Sequence, residues 1–289
     1  MIKHWIKATR PKTLPASIIP VAIGSAAAYS YGEFHWHLSV IALLCAIFIQ
    51  IITNYLNEVY DYYRGADTEE RKGPQRIVAA GIVSPKKMLF VSIFLIVITF
   101  LLGLILVGRG GLPILIIGIL SLIFAYAYTG GPFPLAYNGL GDIFVLIFFG
   151  IIAVCGTFYV QTLTLTSEVF ISSLGPGLLS MNLLGINNIR DIKTDIKAGK
   201  ITLAVKLGEK KAKTMYYFVN FSAFLVPVAL TIMTGSAAML LPLAVLPYSI
   251  IICRKLRIYK DAELNKLLAA TGKLLLLHGT LTVLGFVIN

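Results

Sequence analysis

Two short segments of this apolar chain carry acids and amides at helical spacing. The first, NEVYD, begins at Asn57 and ends at Asp61, and the second, NNIRD, begins at Asn187 and ends at Asp191. Residues four positions apart share one face of a helix, so each segment presents amide and carboxylate oxygens together. Polar groups beside long apolar stretches usually face a protein interior or a wet cavity. The repeated pattern predicts one polar site built from both segments.

The oxygen-rich pattern favours Mg²⁺ and a phosphorylated substrate. Carboxylate and amide oxygens suit Mg²⁺, which typically bridges to substrate phosphates, and converging carboxylates need cations to offset their repulsion. The predicted metal ligands are Asn57, Asp61, Asp67, Asp191 and Asp195. Three of these, Asp61, Asp191 and Asp195, are also the predicted catalytic residues.

Basic residues interleave with both segments, and Arg and Lys are the usual ligands of a diphosphate. The predicted diphosphate ligands are Arg64, Lys72, Arg76, Arg190 and Lys193. Other charged residues of the same stretches are Glu69, Glu70, Arg71, Lys197 and Lys200. The alternative interpretation is that these are ordinary cytoplasmic loops whose acids form surface ion pairs.

Composition predicts a polytopic membrane protein. The chain has 289 residues, of which 57% are hydrophobic and 13% are charged, whereas soluble domains are nearer one quarter charged. Apolar runs long enough to cross a bilayer recur along the whole length. They cover 13–31, 38–58, 86–107, 112–130, 140–162, 169–189, 213–233, 236–253 and 267–287. We therefore expect an all-α protein with nine transmembrane helices, forming a single domain over residues 1–289.

Membrane topology explains the net charge of +12 better than nucleic-acid binding does. With a cytoplasmic N-terminus, all 25 Lys and Arg residues except Arg109 and Lys273 fall on or beside the predicted inner loops. This asymmetry is the positive-inside pattern. It predicts a protein of the cytoplasmic membrane, embedded in the lipid bilayer, with the acidic segments facing the cytoplasm and no nucleic-acid partner.

The spacing of the two segments predicts an internal repeat. Asp61 and Asp191 are 130 positions apart, which places span two opposite span six in a pseudo-repeat of 1–135 and 136–289. Two other features are ambiguous. Asp142 opens span five at the cytoplasmic side, either as part of the site or as a plain helix N-terminal acid. The turn GGPFPLAYNG, residues 130–139, either caps the site or merely connects two spans.

Four blocks of sequence resemble the UbiA superfamily of intramembrane prenyltransferases. The blocks are RPKTLPASIIPVAIG (10–24), YDYYRGADTEERKGPQRIVAAG (60–81), YTGGPFPLAYNGLGD (128–142) and NNIRDIKTDIKAGKITLAVKLG (187–208). In that family two Asp-rich motifs, NDxxDxxxD and DxxxD, follow helices two and six. Here the second is intact as DIKTD, but the first has Glu58 in an Asp position and Gly65 in the last one, with Asp67 two residues further on.

The resemblance implies a bundle of nine helices with a central cavity. Its similarity to the 1,4-dihydroxy-2-naphthoate (MenA) branch implies transfer of a polyprenyl group from a polyprenyl diphosphate to dihydroxynaphthoate. The transfer would depend on Mg²⁺ and release CO₂, giving demethylmenaquinone for menaquinone biosynthesis. Gly130 and Gly131 stand where the 4-hydroxybenzoate branch usually has a basic residue after its loop tyrosine, which argues against 4-hydroxybenzoate as the acceptor. Residues expected near the aromatic substrate or the allylic cation are Lys12, Asn54, Tyr126, Tyr128 and Asn187.

Two alternatives remain open at this point. Within the same family, the acceptor would be another molecule, such as homogentisate or a glycerol phosphate lipid precursor. In a different class, a transporter of an anionic amphiphile would also combine a polar stripe, an internal repeat and a basic cytoplasmic face. The transporter is disfavoured because the acids cluster at one membrane face and the outer loops are short and nearly uncharged.

Overall fold

The computed structural model describes residues 1–67 and 72–289, and in these ranges the chain forms helices and no strands. The helices are α1 (Ile2–Ala8), α2 (Pro15–Ser30), α3 (Trp36–Tyr63), α4 (Pro85–Ala127), α5 (Gly141–Leu146), α6 (Ala153–Thr162), α7 (Ser167–Lys197), α8 (Leu203–Ala223), α9 (Leu225–Thr234), α10 (Leu246–Ile258) and α11 (Leu264–Ile288). A π-helical turn, Ile147–Ile152, joins α5 to α6. Short 3₁₀ turns precede α2, α5 and α11, and a nine-residue 3₁₀ helix, Ala237–Val245, precedes α10. The predicted all-α class is confirmed for the described ranges, and Glu69, Glu70 and Arg71 lie outside them.

Length and composition identify several membrane-spanning stretches. Within the described residues, seven helical stretches are long and apolar enough to cross a bilayer. The pair Ile2–Thr13 and Pro15–Ser30, bent by 57°, makes an eighth if it counts as one span. The bend was not predicted from sequence. It falls where Arg10 adopts a left-handed φ of 53° and Pro11 follows, a combination that cannot continue an α-helix.

The helix α4 contains two of the predicted spans, 86–107 and 112–130. Its 43 residues would extend about 65 Å if straight, about twice the apolar thickness of a bilayer. Gly111 interrupts the helix with a φ of 64° and a ψ of −151°. Leu89 and Ala125, near opposite ends of α4, share one apolar cluster with Leu56 of α3, so the chain turns back at Gly111. The total of nine spans nevertheless stays a prediction.

Small residues bring α2 close to α6 and α11. A Cβ atom on Gly24 would lie 2.5 Å from the carbonyl oxygen of Val154, and one on Gly279 would overlap Ile19. Close backbone approach is the usual way in which membrane helices gain packing energy, because lipid is as apolar as the side chains. On the outside of the bundle, Phe218 and Ile232 are 75% and 79% exposed, as expected for lipid-facing side chains.

The two acidic segments lie at corresponding ends of the long helices α3 and α7. Three connecting stretches meet around these ends: the described residues 64–67 and 72–84 after α3, 128–140 before α5, and 198–202 after α7. The backbone N–H of Ile201 donates to the carbonyl of Tyr137 at 3.1 Å, which joins the last two loops. Both segments therefore end in one layer of loops, although the internal repeat itself remains a prediction.

Candidate active site

Asp61 lies in the last turn of α3 and is 1% exposed. Its Oδ2 accepts a hydrogen bond from Arg76 Nη2 at 2.6 Å, and its Oδ1 accepts one from the Tyr137 hydroxyl at 2.7 Å. Burial and the nearby Asp61 carboxylate hold the pKa of Tyr137 well above its usual range, so this phenol keeps its proton and donates it. The turn that carries Tyr137 therefore closes onto the first acidic segment.

Arg76, together with Lys200, compensates the charge of the first segment. Its side chain is 5% exposed, and its Nε lies 3.1 Å from Asp67 Oδ1. Burial lowers the pKa of Arg76, but Asp61 and Asp67 outweigh burial and raise the pKa above its usual value. Asp191 of the second segment adds to this effect, so it lies within electrostatic reach of Arg76. The two segments therefore share one electrostatic environment.

Glu58 positions the loop that supplies Arg76. Its Oε2 accepts hydrogen bonds from the backbone N–H groups of Ile77 and Val78 at 2.9 and 3.2 Å. The residue is 3% exposed and borders the same cavity as Asn57 and Asp61. Glu58, which occupies an Asp position of the family motif, thus binds the backbone of the loop that carries Arg76. The sequence did not predict this role.

Arg190 organises the second segment. Its Nε and Nη2 donate to the two carboxylate oxygens of Asp191 at 2.8 and 2.6 Å. Nη2 also donates to Asn187 Oδ1 at 2.6 Å, and Nη1 donates to Asn265 Oδ1 at 2.7 Å. Asn265 in turn donates to the backbone carbonyl of Lys72 at 2.9 Å. The start of α11 therefore ties the second segment to the loop that follows the first.

A cavity of about 590 Å³ opens beside these segments. Its polar end is bordered by cations, namely Lys7, Arg10, Lys12, Arg76 and Lys200. Its interior is apolar and includes an aromatic wall of Phe124, Phe144 and Phe148, whose ring centroids lie 4.8 to 6.0 Å apart. A central cavity was predicted from the family resemblance, and this prediction is confirmed.

Seven of the predicted site residues border the cavity: Lys12, Asn54, Asn57, Asp61, Arg76, Tyr128 and Asn187. Two of the amides also fix neighbouring backbone or side chains. Asn54 Nδ2 donates to the Thr9 carbonyl at 3.0 Å, and Asn57 Oδ1 accepts from the Thr129 hydroxyl at 2.8 Å. The polar stripe of α3 therefore faces the cavity and holds its rim together.

The other predicted residues lie around the polar end or away from the cavity. Arg64 donates to the backbone carbonyls of Thr129 and Gly131, which ties the end of α3 to the loop 128–140 before α5. Tyr126 is 42% exposed and packs edge-on against Tyr60 at 5.6 Å. Lys72 and Lys193 are exposed, whereas the side chains of Asp67, Arg190, Asp191 and Asp195 are buried beside the polar end. Roles in ligand binding for these residues stay predictions.

The donor set fits Mg²⁺ in its chemistry. Across residues 1–67 and 72–289, no group of three acidic, His or Cys side chains converges at metal-binding distances. Instead, the guanidinium groups of Arg76 and Arg190 offset the repulsion between carboxylates. The available ligands are nevertheless oxygens only, from carboxylates and the Asn57 amide, which is the set that Mg²⁺ prefers. Metal binding would require these arginines to exchange some carboxylate contacts for a diphosphate.

Sequence reasoning missed three residues of this site or assigned them no role. Asn265 comes from the start of α11 and was marked by no local pattern, whereas Tyr137 lies in the turn 130–139, which was noted without a role for this residue. Lys200 was noted only as part of a basic run, but it borders the cavity, and its ammonium lies 5.3 Å from the centroid of the Tyr137 ring. Its position five residues after Asp195 was the available signal.

Known proteins are similar to this chain in sequence and in fold. Residues 17–277 match the UbiA prenyltransferase family. The 1,4-dihydroxy-2-naphthoate octaprenyltransferase of Haemophilus influenzae is 36% identical, with 100% of this chain and 97% of the relative covered. The enzyme of the same name from Escherichia coli is 39% identical over 72% of this chain and 70% of its own length.

Solved structures show the same fold at low sequence identity. A UbiA homolog from Aeropyrum pernix K1 has a TM-score of 0.70 and 17% identity, covering 90% of this chain and 94% of the other. A UbiA homolog from Archaeoglobus fulgidus bound to GPP and Mg²⁺ has a TM-score of 0.69 and 13% identity, covering 97% and 99%. Likeness at this identity concerns the fold alone.

Proposed function

The chain belongs to the UbiA prenyltransferase family, and we propose that it transfers a polyprenyl group from a polyprenyl diphosphate to 1,4-dihydroxy-2-naphthoate. The reaction releases CO₂ and gives demethylmenaquinone, an intermediate of menaquinone biosynthesis. The observation that carries this proposal is the 36% identity, over the whole chain, to a relative named for prenyl transfer to this acceptor. A cavity with a cationic polar end and an apolar interior suits both substrates.

The polar end binds the diphosphate. When bound, Mg²⁺ supplies positive charge that stabilises the departing diphosphate, and its proposed ligands are Asn57, Asp61, Asp67, Asp191 and Asp195. Arg76, Arg190 and Lys200 are the basic groups best placed to neutralise the phosphate oxygens, Arg as a fork and Lys as a point charge. These residues lower the barrier by stabilising the charge that develops as the C–O bond breaks.

The apolar interior holds the prenyl chain and excludes water from the allylic cation. Water exclusion matters because hydrolysis of the cation would compete with prenyl transfer. Phe124, Phe144 and Phe148 present aromatic faces along this wall, and aromatic faces stabilise cations. Lys12 and Arg10, at the polar end, are the proposed partners of the naphthoate carboxylate.

The enzyme is proposed to lie in the cytoplasmic membrane with nine spans, counting the two halves of α4 separately. Its active site would face the cytoplasm, where both substrates are charged and water-accessible. The distribution of Lys and Arg over the inner loops supports this orientation.

A reconstitution assay tests the function. Purified protein would be given dihydroxynaphthoate, a polyprenyl diphosphate and Mg²⁺, and the prenylated quinol and released CO₂ would be measured. We expect both products in equal amounts, only with Mg²⁺, and none from Asp61→Ala or Asp191→Ala. Product from homogentisate but not from dihydroxynaphthoate would keep the family chemistry and refute the acceptor. Full activity after removal of Mg²⁺ would refute the metal dependence.

A further inference from the structure

We propose that Asp142 is a catalytic residue that accepts the proton of an acceptor ring hydroxyl during prenyl transfer, an inference that rests on the proposed function. Asp142 lies in the first turn of α5 and is 3% exposed. It borders both the main cavity and a side cavity of about 20 Å³ between α5, α7 and α8. A first-turn acid often serves only the helix dipole, so its position alone does not define a site.

Charge compensation distinguishes Asp142 from the acids of the two segments. Asp61 and Asp191 each lie 2.6 Å from an arginine nitrogen. In the described part of the chain, the hydrogen bond that the Asp142 carboxylate accepts comes from its own backbone amide. A buried carboxylate without a cation is costly, and such groups at membrane depth usually serve function. A hydroxyl-bearing ligand in the cavity would supply the missing donor.

Asn182 provides a second and independent observation. It is 2% exposed and borders the side cavity, and its Nδ2 finds no hydrogen-bond acceptor among the described residues. A buried donor without an acceptor is destabilising. The side cavity is large enough for one water molecule, which could accept from Asn182 and donate to Asp142. One carboxylate oxygen would then be held while the other faces the main cavity.

Tyr128 connects Asp142 to the rest of the site. Its hydroxyl lies 3.1 Å from the position that a Cβ on Gly141 would occupy. Gly141 is the residue that precedes Asp142 in the chain. The same phenol lies within electrostatic reach of Asp142, Arg10 and Asp61. An aromatic acceptor in this part of the cavity would therefore meet Asp142 on one side and the diphosphate-binding end on the other.

The proposed proton transfer explains the loss of CO₂. The ring carbon that bears the carboxylate attacks the allylic carbon, and the diphosphate leaves with the electron pair of the broken C–O bond. The hydroxyl on the adjacent ring carbon gives its proton to Asp142 and becomes a carbonyl. The product of this step is a β-keto acid, which loses CO₂ readily. The electrons of the broken C–C bond form an enolate, which takes the proton back from Asp142.

The test pairs a protein variant with a substrate variant. Asp142→Asn keeps the shape of the side chain but removes its basicity, and the analogue carries a methyl ether on the hydroxyl next to the carboxylate. We expect Asp142→Asn to lower kcat about 100-fold with dihydroxynaphthoate, the usual range for a general base, without changing KM for the diphosphate. Methylation should slow the wild type comparably but slow Asp142→Asn no further. Glu168→Gln, a first-turn acid of α7 away from the cavity, should behave as wild type.

Several results would overturn the proposal. One is a kcat of Asp142→Asn above half that of wild type, and another is a full additional loss on methylation of the acceptor. Asp142→Glu guards against a folding defect, because it should recover part of the activity that Asn loses. Calorimetric titration with dihydroxynaphthoate separates this proposal from the proposed function. If wild type binds the acceptor without forming product, the proposed function fails and the role of Asp142 fails with it. If wild type forms product and Asp142→Asn keeps its kcat, the role of Asp142 alone is refuted.

Discussion

The two acidic segments carry the same chemical groups but are built differently. In the first, Asp61 meets Arg76 from 15 residues later and Tyr137 from a separate loop. In the second, Asp191 pairs through two hydrogen bonds with Arg190, its neighbour in the chain. The first segment therefore depends on loops that fold over α3, whereas the Asp191–Arg190 pair forms within one turn of α7, and Asn265 of α11 is a further partner of Arg190.

This difference predicts that the two acidic segments respond differently to substrate binding. A pair made between neighbours in one helix orders little additional chain, so the second segment is a fixed base. A pair assembled from loops can separate and re-form, because loops open at low free energy compared with packed helices. We therefore expect the first segment to rearrange when the diphosphate enters and the second to remain as it is.

The largest effect is expected when either segment loses its leading carboxylate. Asp61→Asn and Asp191→Asn should each lower kcat by about 1000-fold or more, because each removes a proposed ligand of the Mg²⁺ that would stabilise the departing diphosphate. Product formation at saturating substrate measures this loss, with Glu168→Gln as the control acid. If either variant kept more than a tenth of wild-type kcat, that segment would lie outside the site.

Replacing Arg76 or Arg190 should change the free energy of unfolding differently for the loop-assembled pair and the local pair. Arg76→Leu should cost about 3–5 kcal/mol, because Asp61 and Asp67 stay buried but lose the guanidinium that contacts both of them. Adding Asp61→Asn should restore only part of this loss, since Asp67 remains. Arg190→Leu should also lower the stability. Adding Asp191→Asn should recover most of that loss, because both members of the pair are then neutral.

Thermal unfolding in detergent measures these differences in stability. Equal recovery by the two double variants would contradict the distinction between the local pair and the loop-assembled pair.

The hydroxyl of Tyr137 should have an intermediate effect that is confined to the first segment. Tyr137→Phe should raise KM for the diphosphate about tenfold, because Asp61 loses a partner that orients it. Tyr63→Phe, an exposed tyrosine at the end of α3, is the matched control. Unchanged kinetics in Tyr137→Phe would mean that the loop before α5 only connects two spans.

Glu58→Gln should have the smallest effect. Gln still offers an oxygen to the backbone N–H groups of Ile77 and Val78, so stability should fall by only about 1 kcal/mol. Activity should fall far less than in Asp61→Asn. A loss of kcat as large as that of Asp61→Asn would instead make Glu58 a metal ligand.

Local patterns predicted most of the fold and two segments that lie beside the cavity. Apolar runs located the helices, and the Asn–Asp spacing singled out Asp61 and Asp191, whose roles remain predictions, because these signals reside in nearby residues of the chain. The same patterns did not reveal that α1 is a separate helix, since a bend depends on backbone angles around Arg10.

Contacts between distant loops could not be predicted. Arg64 looked like a diphosphate ligand because it follows the first segment, but its donors point to the carbonyls of Thr129 and Gly131. Asn265 bridges Arg190 and Lys72 across 193 positions, which no single-sequence pattern encodes. Charge and spacing thus predict which segments matter, and tertiary packing decides which donors remain available to a ligand.

Whether the two segments form one site is tested most directly by ligand binding. Calorimetry with a non-hydrolysable polyprenyl thiodiphosphate and Mg²⁺ would compare wild type, Asp61→Asn, Asp191→Asn and the double variant. We expect each single variant to weaken binding about tenfold or more, and the double variant to be little weaker than either, because residues that act together are not additive. Unchanged affinity in either single variant, or fully additive losses in the double variant, would show that the segments act independently.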